Sequence, residues 1–215
     1  MKLIDNKLYF KYSELPPEQK RLYYVRIQSF LENLAYEYCG FQKWFSELFT
    51  LGAGLKLDRE IIICECDFQL AGVAILKNNG IEKKICTLRV AKSFQRRGIG
   101  QQLMELSFEW LDDDMPLITI HNSKKYEFKS LFERYNFELE EKKWGYYHLF
   151  STELVYNGAL PNKECFINDI EMLDLHKEIK AFLFKREQSF KLYIELWLYR
   201  QQMRNYKKKD LVTIY

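Results

Sequence analysis

The chain has 215 residues, of which 47% are hydrophobic, 29% are charged and 16% are aromatic, and its formal net charge is +3. This composition excludes a disordered or collagen-like chain, and no apolar run is long enough to predict a transmembrane helix. A net charge this small does not by itself indicate a nucleic-acid partner.

The N-terminal part of the chain predicts one strand and two helices. A short aromatic strand at Leu8–Tyr12 precedes a helix that begins near Pro16, because proline suits the first helical turn. Apolar residues then recur at helical spacing as far as about Glu37. They are Leu22, Val25, Ile27, Phe30, Leu31 and Leu34. Gly40 ends this helix, and a second helix is predicted from Gln42 to Thr50.

The middle of the chain changes to a strand pattern. Ile61–Cys66 is β-branched and nearly continuous, which is typical of a strand buried on both faces. A second strand is predicted at Gln69–Lys77 and a third at Lys84–Val90. Asn78–Gly80 lies between them and indicates a hairpin turn.

Helices and strands alternate after the third of these strands. A basic, glycine-bearing loop, Phe94–Gly100, opens a helix that ends at Asp112–Asp114. A strand at Leu117–Ile120 and a helix at Glu127–Tyr135 follow. Trp144–Leu154 is interpreted as a strand or a hairpin.

The last quarter of the chain predicts a separate segment. Asn157–Asn162 is the best linker candidate, so we divide the chain into a domain at 1–158 and a helical, basic, aromatic-rich C-terminal extension at 159–215. Lys185–Asp210 contains eight basic and three acidic residues with interleaved aromatics. This stretch is either the solvated face of a helix, with a homodimer as one way to bury its apolar side, or a surface for an anionic partner such as RNA.

The N-terminal residues, the cysteines and the histidines bear on the cellular compartment and on metal binding. Met1–Asp5 carries an acid and lacks the apolar core of a signal peptide, so we expect a cytoplasmic protein. The five scattered cysteines and three distant histidines have neither disulfide nor zinc spacing. We therefore expect free thiols and no metal site.

The loop before the predicted helix has the chemistry of an anion site. Arg96, Arg97, Gly98 and Gly100 stand where a strand feeds a helix N-terminus, whose N–H groups are unpaired and whose dipole is positive. Glycines let the backbone approach a ligand closely, and arginines add charge, so the loop suits a pyrophosphate. The alternative is that the glycines serve steric needs alone. The loop matches neither a P-loop nor a dinucleotide fingerprint.

Gln95–Gly100 instead resembles the Q/R-x-x-G-x-G/A motif of the GNAT acetyltransferase superfamily. Leu70–Ala74 is similar to the third strand of that family, and Leu88–Val90 is similar to its fourth. Ile99–Met104 is similar to its GiGxxLl helix start, and Leu131–Phe137 to the helix end that follows its fifth strand. The occurrence of these motifs in the right order makes the resemblance specific.

The resemblance implies an α/β (α+β) GNAT fold, with a mixed, mostly antiparallel central sheet that is splayed between its fourth and fifth strands and flanked by helices. It implies acetyl-CoA as cosubstrate and an amine that attacks the thioester directly. Backbone groups of the loop would hold the pyrophosphate, and the fourth strand would pair with the pantetheine arm. The positions carried over are Leu88, Arg89, Val90, Gln95, Arg96, Arg97, Gly98, Ile99, Gly100 and Gln101.

The acid that protonates the leaving thiolate is open, because the usual family tyrosine falls at Phe132. Tyr135, or a tyrosine of the pair Tyr146 and Tyr147, could supply the hydroxyl. Release of the thiolate could instead need no residue. In a third alternative the domain binds coenzyme A without catalysis, as a regulatory or RNA-associated module.

The base is also open. Glu65 lies in an apolar strand, where a carboxylate is costly unless it is paired or functional, although alternation along the strand could point it to solvent. His121 follows the fifth strand near the expected acceptor, or is a surface histidine. The acceptor is an amine of unidentified class: a small molecule, a peptide or, as in GNAT toxins, an aminoacyl-tRNA.

Overall fold

The computed structural model describes residues 1–38, 40–50, 54–147 and 151–161. These residues form one eight-stranded sheet flanked by helices. The strands are β1 (Lys2–Ile4), β2 (Lys7–Lys11), β3 (Arg59–Cys66), β4 (Gln69–Asn78), β5 (Lys83–Val90), β6 (Leu117–His121), β7 (Leu139–Trp144) and β8 (Thr152–Tyr156). The helices are α1 (Pro17–Leu31), α2 (Leu34–Glu37), α3 (Phe41–Glu47), α4 (Ile99–Leu111) and α5 (Lys125–Arg134).

The sheet order is β1-β2-β3-β4-β5-β6-β8-β7. Only β5 and β6 pair in parallel, and every other neighbouring pair of these described strands is antiparallel. The mixed, mostly antiparallel sheet expected from the sequence is therefore confirmed. Because β1 precedes the first predicted strand, the predicted fourth and fifth strands are β5 and β6.

Two strands differ from the sequence-based prediction. The three-residue β1 was not predicted, because its hairpin with β2 turns at Asp5 and Asn6, which both adopt positive φ angles in place of the usual glycine. The predicted segment Trp144–Leu154 belongs to a hairpin whose first strand, β7, begins five residues earlier. Four of the six residues of β7 are charged and none is buried, so the strand lacks the apolar alternation that marks a strand in sequence.

The first helix is shorter than predicted and buries a different face. It ends at Leu31, and α2 is a separate turn of helix. Tyr23, Ile27 and Leu31 are its buried residues, whereas Leu22 is 57% exposed and Val25 is 55% exposed. The prediction that Leu22 and Val25 belong to the apolar face is thus wrong, because spacing of four residues places the tyrosine ring in the core instead.

The helices pack on opposite faces of the sheet and form two cores. On one face, α4 and α5 contribute Leu103, Met104 and Phe132 to a core that includes Ile118 of β6. On the other face, α1 and α3 cover the central strands. Gly72 lets α4 approach β4 closely, because a Cβ there would lie 2.8 Å from Leu103 Cδ1.

The sheet is splayed between β5 and β6. Their only registered pairs in the described structure are Lys84 with Leu117 and Ile85 with Ile118, so the strands separate beyond this point. The β4–β5 register shifts at the same place, since consecutive β4 residues pair with Thr87 and Ile85 and leave Cys86 as a bulge. A cleft therefore opens toward the C-terminal ends of β5 and β6.

The end of the described chain is anchored to the domain. Leu160 is buried in a small core with Leu117 and Val155, and Tyr146 donates its hydroxyl proton to the Pro161 carbonyl oxygen at 3.1 Å. The remainder of the predicted C-terminal extension, from residue 162, lies outside the described residues. In the described ranges no helix combines the length and the apolar character needed to cross a membrane.

Candidate active site

The loop that leads into α4 is exposed and presents an uncapped helix N-terminus. Gln95–Gly98 follows a single 3-10 turn after β5. Gly98 is the N-cap residue of α4, its φ angle is +77°, and no side chain of the described residues caps the helix. The first helical hydrogen bond runs from the Gln102 N–H to the Gly98 carbonyl oxygen. The backbone N–H groups of Ile99, Gly100 and Gln101 therefore have no acceptor within the helix.

The side chains of the loop leave this N-terminus open. The guanidinium of Arg97 lies over the Phe94 ring, 5.3 Å from its centroid. The Gln95 side-chain amide donates to the Val90 carbonyl oxygen at 3.4 Å. A Cβ at Gly100 would meet Val90 Cγ2 at 3.7 Å, which is ordinary contact, so nothing described in the protein itself requires glycine there. The positive dipole end and nearby arginines suit an anion.

The edge of β5 that faces β6 has no strand partner beyond Ile85 in the described structure. Leu88, Arg89 and Val90 lie on this stretch and pair only with β4, on the opposite side. The guanidinium of Arg89 lies 6.0 Å from the ring centroid of Phe30 in α1. The free edge can accept an extended ligand as an added strand.

Phe132 and Tyr135 both lie on the α4 side of the sheet. Phe132 is buried and stacks on Phe137, with ring centroids 5.2 Å apart. The Tyr135 hydroxyl donates to Glu105 Oε1 of α4 at 2.9 Å. Burial, and then the hydrogen bond to this carboxylate, raise the pKa of Tyr135 to about 12. The hydroxyl is therefore held against α4 and keeps its proton.

Glu65 is buried and paired. It accepts a hydrogen bond from the Tyr23 hydroxyl at 3.0 Å, and its other oxygen lies 2.6 Å from the Arg26 guanidinium. Both partners belong to α1. The alternative in which strand alternation points Glu65 to solvent is wrong, since α1 covers this face of β3 and leaves the residue 8% exposed.

His121 is half-buried at the end of β6 and is held by the turn that follows. Its Nδ1 lies 2.7 Å from the Ser123 hydroxyl and accepts the Ser123 N–H at 3.2 Å. The cross-strand neighbour of His121 on β8 is Glu153. His121 is thus in the cleft region, with one ring nitrogen engaged locally.

Tyr147 lies among aromatic rings next to β6. Its hydroxyl is hydrogen-bonded to the Thr119 side chain. Its ring meets that of Tyr38 edge-on at 5.3 Å and that of Tyr146 at 4.7 Å. Burial raises the pKa of Tyr147 above its ordinary value. Tyr38, which follows α2, thereby connects the helical layer to this part of the sheet.

Glu153 is a candidate that the sequence analysis missed. It is 0% exposed, and neither carboxylate oxygen has a hydrogen-bond partner in the described part of the chain. Burial raises its pKa to about 8; the positive charge of Lys84 opposes this shift and the negative charge of Glu37 adds to it. A carboxylate inside the apolar run of β8 was the available signal, the same one that drew attention to Glu65.

The candidates divide between the two faces of the sheet. On β6, Ile118 packs on the α4 side, so His121, three residues further on, lies on the opposite face. On β8, Leu154 packs on the α4 side, so its neighbour Glu153 also lies opposite. The structure therefore brings His121, Glu153 and Tyr147 together, and keeps Tyr135 apart from them.

The chain matches a known family over the part that carries the loop and the splayed strands. A family model described as an acetyltransferase (GNAT) domain matches residues 33–144, more than half of the chain. No curated protein sequence matches.

Solved acetyltransferase structures resemble the chain at low sequence identity. One described as a GNAT-family acetyltransferase, from Desulfovibrio desulfuricans, is 16% identical, with 70% of this chain and 96% of that chain covered and a TM-score of 0.50. A GNAT family acetyltransferase from Elizabethkingia anophelis with acetyl-CoA bound is 16% identical, with 73% of this chain and 100% of that chain covered and a TM-score of 0.45. The first of these shows a shared fold.

Proposed function

The chain belongs to the GNAT acetyltransferase family and is therefore an acyltransferase, and on this premise we propose that it transfers the acetyl group of acetyl-CoA to a primary amine. The observation that carries the proposal is the coincidence of three features at one edge of the sheet. They are the splay of β5 from β6, the unpaired edge of β5 and the uncapped N-terminus of α4.

The α4 loop fits a pyrophosphate. Backbone N–H groups of Ile99, Gly100 and Gln101 would donate to the phosphate oxygens, at the positive end of the helix dipole. Gly98 supplies the positive φ angle that turns the chain into the helix. The exposed side chains of Arg96 and Arg97 add positive charge.

The free edge of β5 fits the amide-bearing pantetheine arm. Backbone groups of Leu88, Arg89 and Val90 would hydrogen-bond the arm as a neighbouring strand would. This pairing would direct the far end of the arm into the cleft. Bound acetyl-CoA would supply there a thioester carbonyl that an amine can attack.

No side chain is assigned as the acid for the leaving thiolate. Phe132 has no proton to donate, and Tyr135 donates its proton to Glu105 on the α4 side. We favour release of the thiolate without a dedicated acid. Of the tyrosine pair, Tyr146 donates to the Pro161 carbonyl oxygen and Tyr147 has a Thr119 partner.

The acceptor class follows from a direct test. Purified protein is mixed with acetyl-CoA and, separately, spermidine, a lysine-containing peptide, a peptide with a free N-terminus or an aminoacyl-tRNA, and free coenzyme A thiol is measured. We expect thiol release with at least one amine and equal formation of the acetylated amine. Absence of release with every acceptor, together with no binding of coenzyme A at millimolar concentration, would contradict the proposal.

A further inference from the structure

We propose that Glu153 binds the ammonium group of the acceptor in the cleft and takes its proton before acetyl transfer. The inference rests on the proposed function and deepens it, because it selects acceptors that arrive as primary ammonium ions. Glu153 lies on β8, beyond residues 33–144, which the family model matches.

Glu153 has acceptor atoms without donors. The side chain is 0% exposed, and both of its oxygens lack hydrogen-bond partners in the described residues. Burial of a carboxylate in this condition is costly whether or not it is charged, and such groups are rare in folded proteins. A primary ammonium group carries three N–H donors and one positive charge. It would supply the hydrogen-bond donors and the positive charge that this carboxylate lacks.

The charged groups near Glu153 do not supply a donor or an ion-pair partner to its carboxylate among the described contacts. Lys84 attracts the carboxylate but forms no ion pair with it among the described contacts, and Glu37 adds negative charge to the same region. Lys143, its cross-strand neighbour on β7, instead donates to the Leu160 carbonyl oxygen at 3.1 Å. Glu37 is itself paired with Lys124 at 3.8 Å, so none of these charged groups occupies the two Glu153 oxygens among the described contacts.

The aromatic groups near Glu153 suit the same ligand. The rings of Tyr38 and Tyr147 pack edge-on, and the negative charge of Glu153 contributes to the raised pKa of both hydroxyls. Their hydroxyls are bonded elsewhere, to the backbone of His121 and to the Thr119 side chain. Aromatic ring faces attract cations, so the two rings would add to the recognition of an ammonium ion.

The location of Glu153 matches the direction of attack. β5 and β6 separate just beyond the pair Ile85–Ile118, and Lys84 stands at this closed end of the cleft. Glu153 lies on the sheet face opposite α4. An amine held by Glu153 would therefore approach the cleft from the face opposite the α4 loop, which is proposed to hold the pyrophosphate.

In the transfer, the nitrogen loses two protons and the sulfur keeps the electron pair of the broken C–S bond. The ionised carboxylate of Glu153 takes one proton from the ammonium group, which frees the nitrogen lone pair. The nitrogen attacks the thioester carbonyl carbon; an N–C bond forms, the C–S bond breaks, and its electron pair stays on sulfur. A second proton from nitrogen neutralises the thiolate, and the proton that Glu153 has taken passes to solvent when the next ammonium ion binds. A base whose pKa lies near the working pH suits this role.

A carbon-13 titration tests the binding step on the wild-type chain. Protein with carbon-13-labelled glutamate carboxyls is titrated at neutral pH with n-butylammonium chloride or, as an uncharged control, with n-butanol. The Glu153 resonance is identified by its loss in Glu153→Gln. We expect n-butylammonium, and not n-butanol, to move this resonance from the protonated toward the ionised position. A Glu153 resonance that does not respond to n-butylammonium, or that responds equally to n-butanol, would overturn the proposal.

A kinetic comparison tests the proton transfer. With any amine that is turned over, Glu153→Gln should lower kcat/KM by about 100-fold or more at neutral pH, and the loss should shrink as the pH approaches the pKa of the amine. Its affinity for acetyl-CoA should stay within about twofold, since a base need not contact the cosubstrate. Glu140→Gln, the same substitution at an exposed β7 residue, should leave kcat/KM unchanged.

The two hypotheses fail in different ways. If Glu153→Gln and Glu140→Gln have equal kcat/KM while acetyl-CoA binds, Glu153 is not the base and the acetyltransferase proposal stands. If the wild-type chain does not bind acetyl-CoA, the proposed function fails. The carbon-13 titration then still decides whether Glu153 binds an ammonium ion, because it needs no acetyl-CoA.

Discussion

Two glutamates, Glu65 on β3 and Glu153 on β8, are buried in similar apolar strands but differ in what surrounds them. Glu65 has a tyrosine hydroxyl at 3.0 Å and an arginine guanidinium at 2.6 Å. Glu153 has no hydrogen-bond partner among the described residues. A buried carboxylate is therefore not in itself the mark of a reactive site. The supply of donors distinguishes the carboxylate that is paired within the fold from the one that we propose to bind a ligand.

The contacts around Glu65 stabilise the packing of α1 on the sheet. Tyr23 and Arg26 come from the same helix, α1, and Arg26 also donates to the Phe68 carbonyl oxygen at 2.8 Å. These contacts attach α1 to the end of β3. The carboxylate of Glu153 has no such contacts among the described residues.

The largest expected difference between the regions is in the pH dependence of stability. The folded state holds the Glu153 proton up to about pH 8, whereas the unfolded state releases it near the ordinary glutamate pKa of 4.5. Between these values the folded state binds more protons, so stability falls as the pH rises. The loss is about 1.4 kcal/mol per pH unit, or about 4 kcal/mol between about pH 5 and about pH 8.

Urea unfolding across this pH range measures the effect. Glu153→Gln should remove this contribution and should be at least as stable as the wild-type chain at the upper end of the range. Glu140→Gln should keep the wild-type slope. Parallel stability curves for the wild-type chain and Glu153→Gln would contradict the assignment of a raised pKa to this residue.

Breaking the Glu65 pair should have the next largest effect. Arg26→Met keeps much of the side-chain volume but removes the charge, which leaves a buried carboxylate without its cation. We expect a loss of about 3 kcal/mol in the free energy of unfolding, measured by urea denaturation. Arg21→Met is the matched control, since Arg21 is exposed on the same helix. Equal losses in the two variants would show that the ion pair is not stabilising.

Removal of the neutral partner of Glu65 should have the smallest effect. Tyr23→Phe deletes the hydroxyl that donates to Glu65 but keeps the ring, which packs edge-on against Phe10 at 5.3 Å. Because Arg26 remains, the free energy of unfolding should fall by about 1 kcal/mol. A loss as large as that of Arg26→Met would mean that the hydroxyl, rather than the ion pair, stabilises Glu65.

The local parts of the site were predictable from the sequence. The glycine-bearing loop at Phe94–Gly100 indicated a turn into a helix, and Gly98 has this role in the structure. This turn follows from short-range backbone geometry. The strands of the central sheet were predictable for the same reason, because β-branched residues run through them. The close approach of α4 at Gly72 was not predicted, because its contact residue Leu103 is distant in sequence.

The non-local parts were not predictable. Whether Glu65 or Glu153 finds donors depends on a helix that packs from far away in sequence; Tyr23 and Glu65 are 42 residues apart. The β5–β6 pairing ends where the β4–β5 register shifts at Cys86, and no local pattern reveals this position. The burial of Leu22 and Val25 was predicted wrongly for a related reason. Which face of α1 is buried depends on how the helix packs against the sheet, and the sequence of the helix does not determine this.

The central claim is that the α4 loop at the splayed edge of the sheet binds acetyl-CoA, and calorimetric titration of acetyl-CoA tests it most directly. Gly98→Val is compared with Gly80→Val. Both glycines have positive φ angles, and a Cβ at either position would have no described atom within 4 Å, so the two changes introduce similar backbone strain. We predict that Gly98→Val weakens binding by at least about tenfold, which corresponds to about 1.4 kcal/mol, and that Gly80→Val binds like the wild-type chain. Equal affinities in the two variants would contradict the claim.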